Sequence, residues 1–412
     1  MAVNASWLEM VALLLVGGRI LGTGEVTPLP EDPVVAQIAP PECLIYSSWT
    51  GNTSASPDAT SSTEQLFSNP KFRAFVERAG HLLHETISKS AGSQANRELQ
   101  IEAAFQFFQH LHARPGAWYI SEIKARGNQF PKISGGLMLR VEDDEVDPIV
   151  EIIESLLKQI PPESRSTELI GNSPFSRVEL AELGPPITWG IRDNYLVVGI
   201  GAGEAKRIAE RQRGSITKWL ADAKKAIETP RPASFVHLDI RRLVDTIRAF
   251  LGPQDAAVFA GVLQAFGLDA MESFSYGSGL DDEGIVSRGL LKLPGELRGM
   301  MRLVDCEPLV AADFKRISSE SPLALVFQLS LADAWTAFLD SCGHEAAPQD
   351  ASDLAGHLRS QLQAIDGALG INIRNDLFAS IGDTCEFSPS QDRRRGRAAG
   401  RSRSTLRTKP NS

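Results

Sequence analysis

The chain has 412 residues, of which 42% are hydrophobic and 23% are charged, and its formal net charge is −9 at pH 7. These proportions are typical of folded globular proteins and exclude a disordered or collagen-like chain. The acidic balance argues against nucleic acid as a partner, because nucleic-acid binding depends on clustered Lys and Arg. A single core stops growing near this length, so we expect two or three subdomains.

A short apolar run stands at the amino terminus. Residues 10–18 read MVALLLVGG, and small residues at 22–24 and a Pro-rich stretch follow. This order is typical of a signal peptide, and the run is shorter than the about 20 residues that span a bilayer. We therefore predict a signal peptide or short anchor at 1–24, a Pro-rich spacer at 25–41, and export to the periplasm or cell envelope. A membrane tether through the same run is the alternative.

Alternating strand and helix patterns predict a first α+β domain at 42–229. The helix that begins near residue 147 starts with Asp-Pro, a pair that suits an N-cap followed by the first helical position. The predicted strands lie at 43–47, 117–123, 134–141 and 176–183, with a hairpin at 187–200 that turns at Asp193-Asn194. The predicted helices lie near 69–84, 98–112, 147–160 and 204–213.

Two later segments share one order of elements, which predicts a repeat. The strand patterns Phe235–Leu238 and Val326–Leu329 run into Asp239 and Ser330, residue types that cap helices. A second α+β unit is therefore expected at 230–305 and a third at 306–384. The upstream strands and helices suggest a further, more divergent copy.

Each copy continues with a helix-ending signal. FGLD at 266–269 and LGIN at 369–372 are aliphatic-Gly-aliphatic-Asx sequences that suit a C-cap and a turn. In the first copy two strands follow, at 273–280 and 285–293, and an acidic turn at 281–284 joins them. The fold class predicted is α+β, with repeated units of strand, helices and antiparallel hairpin and with the helices on one face of the sheets.

The third unit ends abruptly at Cys385. The last segment, 385–412, carries eight Lys or Arg residues against Glu386 and Asp392 and has almost no large apolar residues. Such a composition predicts a disordered basic tail. Two alternatives are left open: a frameshifted or truncated reading frame, whose product would have no present function, and a genuine tail that binds an acidic surface.

One glycine-rich sequence follows a strand and opens a helix, which is the context of a dinucleotide-binding loop. Gly199-Ile200-Gly201-Ala202-Gly203 nevertheless has Glu204 where G-x-G-x-x-G needs its third small residue. The strand also belongs to a hairpin rather than to a βαβ crossover. We therefore interpret this sequence as a strand-to-helix turn.

Two further features suggest metal chemistry. His81 and His84 lie three residues apart on one predicted helical face, but their spacing to Glu85 matches neither order of the zinc protease motifs. The acidic turn at 142–147 lacks the Gly and the distal Glu of a calcium loop. Four scattered cysteines predict neither a disulfide framework nor a C-x-x-C site. Cys306 and Cys342 are either one bridge in an oxidising compartment or two separate buried thiols.

Three segments carry a resemblance to a known group. The PPECLIY opening at 40–46, the hairpin and helix at 191–211 and the strand pair at 267–293 resemble uncharacterised exported bacterial proteins with a domain of unknown function. The resemblance covers most of 40–384. It implies no catalytic assignment.

The sequence predicts no catalytic residues, no cofactor, and no cofactor-binding or metal-binding residues. The function expected is that of a non-catalytic exported protein that binds an unknown ligand or envelope protein through a sheet face or an interdomain cleft. The alternative is an extracytoplasmic hydrolase or metal-dependent enzyme, for which His81, His84 and the acidic turn are the candidates.

Overall fold

The computed structural model describes residues 27–56, 58–76, 113–126, 129–157, 160–180 and 184–297, with short pieces elsewhere that include 325–328 and 384–387. The chain divides into two compact units. The first comprises Met1–Ala249 and Ser273–Leu291, and the second comprises Phe250–Glu272 and Lys292–Ser412. The predicted boundary between 229 and 230 remains a prediction.

The first unit is built on one large sheet. Its described strands are β1 (Thr27–Pro28), β2 (Ile45–Trp49), β3 (Asn52–Thr53), β4 (Gly116–Arg126), β5 (Gln129–Arg140), β6 (Arg165–Ile170), β7 (Ser173–Val178), β8 (Ile187–Arg192), β9 (Tyr195–Ile200), β10 (Arg231–Asp239), β11 (Ser273–Leu280) and β12 (Ile285–Lys292). Its described helices are α1 (Pro33–Gln37), α2 (Ser62–Ser68), α3 (Val146–Leu157), α4 (Glu204–Arg211), α5 (Lys218–Ala226) and α6 (Ile240–Arg248).

Ten of these strands form the sheet in the order β12-β11-β10-β2-β4-β5-β9-β8-β7-β6, and β1 pairs separately with β3. Every pairing whose register is described is antiparallel. The predicted α+β class with antiparallel sheets is therefore confirmed. The repetition of units remains a prediction.

One face of the sheet is covered by α1, α4 and α5. Tyr46, Tyr119, Met138 and Val197 project from neighbouring strands into this core and are at most 1% exposed. The helices and the two residues that follow α1 contribute a matching set of buried apolar residues: Val35, Ile38, Ala39, Ala205, Ile208, Ala209 and Leu220.

The opposite face has its own core under α3. Successive residues of a strand point to opposite faces, so Leu139 and Leu196 lie on the other side of the sheet from Met138 and Val197. They pack with Ile149 of α3 in a second buried cluster. The expectation of helices on one face is thus wrong in this unit. Because β5 and β9 are buried on both faces, each carries consecutive apolar residues, which is the pattern of a fully covered strand.

The predicted Pro-rich spacer at 25–41 is also corrected. It contains β1 and α1, and Ile38 and Ala39 within it are fully buried. The Asp32 side chain caps α1 by accepting from the Val34 amide at 2.9 Å, and Pro33 occupies the first helical position. This is the N-cap and N1 pattern that starts helices.

Several local predictions are confirmed. The β8–β9 hairpin turns at Asp193 and Asn194, whose φ values of 51° and 63° suit the two-residue turn that matches strand twist. Asp239 caps α6 by accepting from the Arg242 amide at 2.9 Å. The helix predicted after the acidic turn is present but starts at Val146, so Asp147 lies inside it and the prediction of Asp147 as its N-cap is wrong. The Glu145 amide donates to the Glu142 carbonyl at 2.9 Å and closes the turn before the helix.

The second unit is described in part. Helix α7 (Pro253–Phe266) ends at Gly267, which has the left-handed φ of 73° expected of a C-cap. Strands β13 (Leu325–Gln328) and β14 (Thr384–Phe387) pair antiparallel, with Gln328 opposite Thr384. Three residues of the predicted basic tail, Cys385 to Phe387, therefore belong to a strand.

The apolar run at 10–18 and most of the tail lie outside the described residues. Within the part of the chain that is described, no helix has the length and apolar character needed to cross a membrane.

Candidate functional site

The polar side chains that could bind a ligand or take part in chemistry lie on the sheet face covered by α1, α4 and α5. They form three groups: a surface cleft at the start of α1, a buried ionic cluster at the start of α4, and a histidine-serine pair on β10 and β11. All three belong to the first unit.

The cleft lies where α1 and α5 approach the ends of β2 and β10. Its lining residues are Glu31, Asp32, Val35, Ala36, Ser48, Trp49, Thr50, Lys224, Ser234 and Phe235. The enclosed part has a volume of about 20 Å³, which is room for about one water molecule. A ligand would therefore insert a single polar group and lie mainly over the opening.

Opposite charges flank the cleft. The Lys224 ammonium donates to Glu31 Oε1 at 2.6 Å, and the two side chains remain 23% and 46% exposed. The ammonium also lies 6.0 Å from the centre of the Phe235 ring, within range of a cation–π contact. Exposed ion pairs are weak because water screens them. Glu31 and Lys224 can therefore separate, and each can bind a polar group of a ligand instead.

Asp32 forms the fixed wall of the cleft. Its carboxylate is 4% exposed, accepts from the Tyr195 hydroxyl at 2.8 Å and lies 3.5 Å from the Arg140 guanidinium. Burial raises the pKa of Tyr195, and its bond to the Asp32 carboxylate adds to the rise. The phenol therefore stays a donor. This network holds α1 against β5 and β9.

The buried ionic cluster centres on Glu204, the first residue of α4, which is 2% exposed. Its carboxylate accepts from the Tyr119 hydroxyl at 2.5 Å, from Arg207 Nε at 2.7 Å and from Arg211 Nη2 at 3.0 Å. Burial alone would raise the pKa of Glu204, but these donors outweigh it and hold the pKa below its usual value. The ionised carboxylate therefore connects the helix to β4.

The glycine-rich turn at 199–203 lies directly before Glu204 and has two features that require glycine. A Cβ on Gly199 would lie 2.2 Å from the Ala205 amide nitrogen, so α4 packs directly on the strand. Gly203 has a left-handed φ of 71°. A negative charge near a helix N-terminus interacts favourably with the positive end of the helix dipole. In α4 the carboxylate of Glu204 provides that charge. These features agree with the strand-to-helix interpretation.

His237 and Ser275 face each other on β10 and β11. The His237 Nδ1 lies 2.9 Å from the Ser275 hydroxyl, and the ring stacks on Trp219 with centres 4.6 Å apart. Burial lowers the pKa of His237. Ser275 is only 3% exposed, and the Asp239 carboxylate caps α6. The pair therefore has the atoms of a hydrolase dyad without an accessible nucleophile.

Cys43 is similarly enclosed. Its Sγ donates to the Ile45 carbonyl at 2.9 Å, and burial raises the pKa of the thiol to about 12. The nucleophilic form of cysteine is the thiolate, which is scarce here at neutral pH.

Of the remaining candidates from the sequence, only the acidic turn lies among the described residues. In the acidic turn, Glu142 and Glu145 bind Arg114, with contacts of 2.6 and 3.0 Å. His81 and His84 lie outside the described residues, as do Cys306 and Cys342. Among the residues that are described, no group of three or more His, Cys, Asp or Glu side chains is arranged to hold a metal ion.

Sequence reasoning missed the cleft. Glu31 and Asp32 fall in the segment interpreted as a spacer, and Lys224 lies on α5, a helix that was not predicted. The Asp32-Pro33 pair was the available signal for α1. Nothing in the local sequence indicates that Glu31 meets Lys224.

Comparisons of the chain with protein-family models, with curated proteins and with solved structures found no match. The resemblance to exported proteins with a domain of unknown function remains a prediction.

Proposed function

We propose that this protein is a non-catalytic exported protein of the periplasm or cell envelope, and that it binds its ligand or partner over the cleft at the start of α1. The observation that carries the proposal is the accessible Glu31–Lys224 ion pair at the rim of a concave, hydroxyl-lined surface. Export rests on the amino-terminal sequence.

The chemistry of the cleft favours a ligand that presents a hydroxyl or amide group. Such a group both donates and accepts, as required between a carboxylate, an ammonium and the Ser48 hydroxyl. The enclosed volume of about 20 Å³ admits only one group of this size. Ser275 and Cys43 are potential nucleophiles on the same sheet face, but both are buried. Their burial favours ligand binding over catalytic turnover.

Ligand binding is tested by thermal denaturation of the full chain with a panel of soluble saccharides and short peptides. A ligand that raises the Tm of the wild type should lose its effect in Lys224→Ala and keep it in Lys225→Ala. Lys225 is the matched control because it is exposed on α5 and does not line the cleft. An equal shift in both variants would place the binding site elsewhere.

Two measurements test the other parts of the proposal. Turnover by the purified wild type in a broad hydrolase panel, absent from a mock purification, would refute a non-catalytic function. Export predicts processed protein in the periplasmic or secreted fraction of a bacterial host, with a new amino terminus near residue 24 by mass spectrometry. Unprocessed protein in the cytoplasmic fraction would refute export.

A further inference from the structure

Strand β12 is the terminal strand of the ten-stranded sheet among the strands that the structure describes. Six of its eight residues are exposed, including Ile285 at 68% and Leu290 at 39%. An exposed edge strand with apolar side chains presents unpaired backbone groups to a further strand. Its surface therefore has the chemistry of a strand-pairing interface.

The hydrogen bonds at the two ends of β12 show which backbone groups face outward. The Gly284 carbonyl accepts from the Asp281 amide, and the Lys292 carbonyl accepts from the Glu272 amide, both at 2.9 Å. Backbone groups alternate between the two sides of an antiparallel strand. The even-numbered residues of β12 thus face inward, and Ile285, Ser287 and Gly289 face the open edge.

The charges around β12 favour a second copy in the antiparallel direction. Three acidic residues, Asp281 to Glu283, precede the strand, and it carries Arg288 and Lys292. Antiparallel pairing of two copies brings the acidic end of each strand beside the basic end of the other. Parallel pairing would superimpose like charges, which destabilises cross-strand pairs.

We propose that β12 pairs with β12 of a second copy of this chain, antiparallel and centred on Ser287, to form a two-fold symmetric dimer with one continuous sheet. In this register Ile285 lies opposite Gly289 of the second copy, and Leu290 lies opposite Gly284. Asp282 lies opposite Lys292. Each exposed aliphatic side chain therefore has room over a glycine, and at each end Asp282 joins the Lys292–Glu272 ion pair of the other copy. A register centred on Arg288 would place two guanidinium groups face to face.

The proposal is tested on the full chain by sedimentation velocity over a range of concentrations. We expect a concentration-dependent dimer for the wild type. Ile285→Lys should abolish it, because two lysines then enter the interface. Leu169→Lys is the matched control, since Leu169 is 74% exposed on β6, the opposite edge of the sheet. This control should dimerise like the wild type.

A charge exchange tests the register. Asp282→Lys should raise the dimer dissociation constant about tenfold or more, because it creates a like-charge pair at both ends. The double variant Asp282→Lys with Lys292→Asp should restore wild-type affinity. Circular dichroism must show the same fold and Tm for every variant. A wild type that stays monomeric, a dimer that survives Ile285→Lys, or a double variant without recovery would overturn the proposal. The pairing does not depend on the proposed ligand cleft.

Discussion

Replacing Glu204 by Gln tests whether the ionic cluster holds α4 on the sheet. The change keeps the size of the side chain and removes the charge that Arg207 and Arg211 neutralise. The amide also brings an NH2 group toward donors that need an acceptor. Both guanidinium groups and the Tyr119 hydroxyl would then compete for a single carbonyl oxygen.

The expected loss of stability follows from burial. Removing one partner of a buried ion pair costs about 3–5 kcal/mol. Glu204 is 2% exposed, but Arg207 and Arg211 are 49% and 19% exposed, so water can solvate part of the orphaned charge. We therefore expect Glu204→Gln to lower the free energy of unfolding by about 2–3 kcal/mol at pH 7.

The loss should depend on pH with a definite sign. The pKa of Glu204 is held below its ordinary value of 4.5 in the folded protein. Its contribution is therefore fully present above that value and is lost as the pH falls through the folded pKa. At low pH the wild-type carboxyl is protonated like the amide, so the difference between the two proteins should shrink.

Urea denaturation at pH 7 and at pH values below 4.5 measures both effects. Glu210→Gln is the matched control, since Glu210 is an exposed glutamate on the same helix. It should change stability by less than about 0.5 kcal/mol. A Glu204→Gln loss below about 1 kcal/mol at pH 7, or an equal loss at both pH values, would refute this account of the cluster.

Three further predictions concern the same sheet face. Gly199→Ala should destabilise the protein by at least about 2 kcal/mol in urea, because the new Cβ would lie 2.2 Å from the Ala205 amide nitrogen, whereas Gly295→Ala, with no atom within 4 Å, should have little effect. Burial lowers the pKa of His237 from 6.5, so its contribution is present above that pH and lost below it. His237→Gln should flatten this part of the stability-pH curve, and an unchanged slope would contradict the prediction. Cys43 should resist iodoacetamide in the native protein at pH 8 and react after unfolding, by peptide mass spectrometry, since its pKa is about 12.

The sequence predicts best those features that adjacent residues determine. The Asp193-Asn194 turn and the Asp239 cap are set by side chains within a few residues, and both lie where expected. The turn requires positive φ, which Asn and Asp tolerate. The acidic residues and the glycine at 281–284 likewise indicate a turn between two strands, and the structure has strands Ser273–Leu280 and Ile285–Lys292 on either side of it.

Composition misled the interpretation of residues 25–41. Prolines suggested a spacer, yet the aliphatic residues between them are core positions of α1. The missed strand β6 is polar and largely exposed, with Leu169 pointing to solvent, so alternation gave no signal for it. These errors have one physical cause: burial is decided by contacts distant in sequence.

The candidate site depended on such contacts throughout. Tyr119 and Glu204 are 85 positions apart, and Glu31 and Lys224 are 193 apart. No local pattern links them. The sequence could identify the glycine-rich turn beside Glu204, but only the order of strands brings β4 beneath α4.

The place of β2 within the sheet has a consequence for synthesis. One edge of β2 pairs with β4, but the other pairs with β10, with Trp49 opposite Ser234 and Ile45 opposite Leu238. During translation that second edge stays open until nearly two hundred further residues have emerged. Closing so long a loop is slow, and an open strand edge in the interval invites aggregation. A nascent chain of this kind should be a client of chaperones that bind extended, apolar segments.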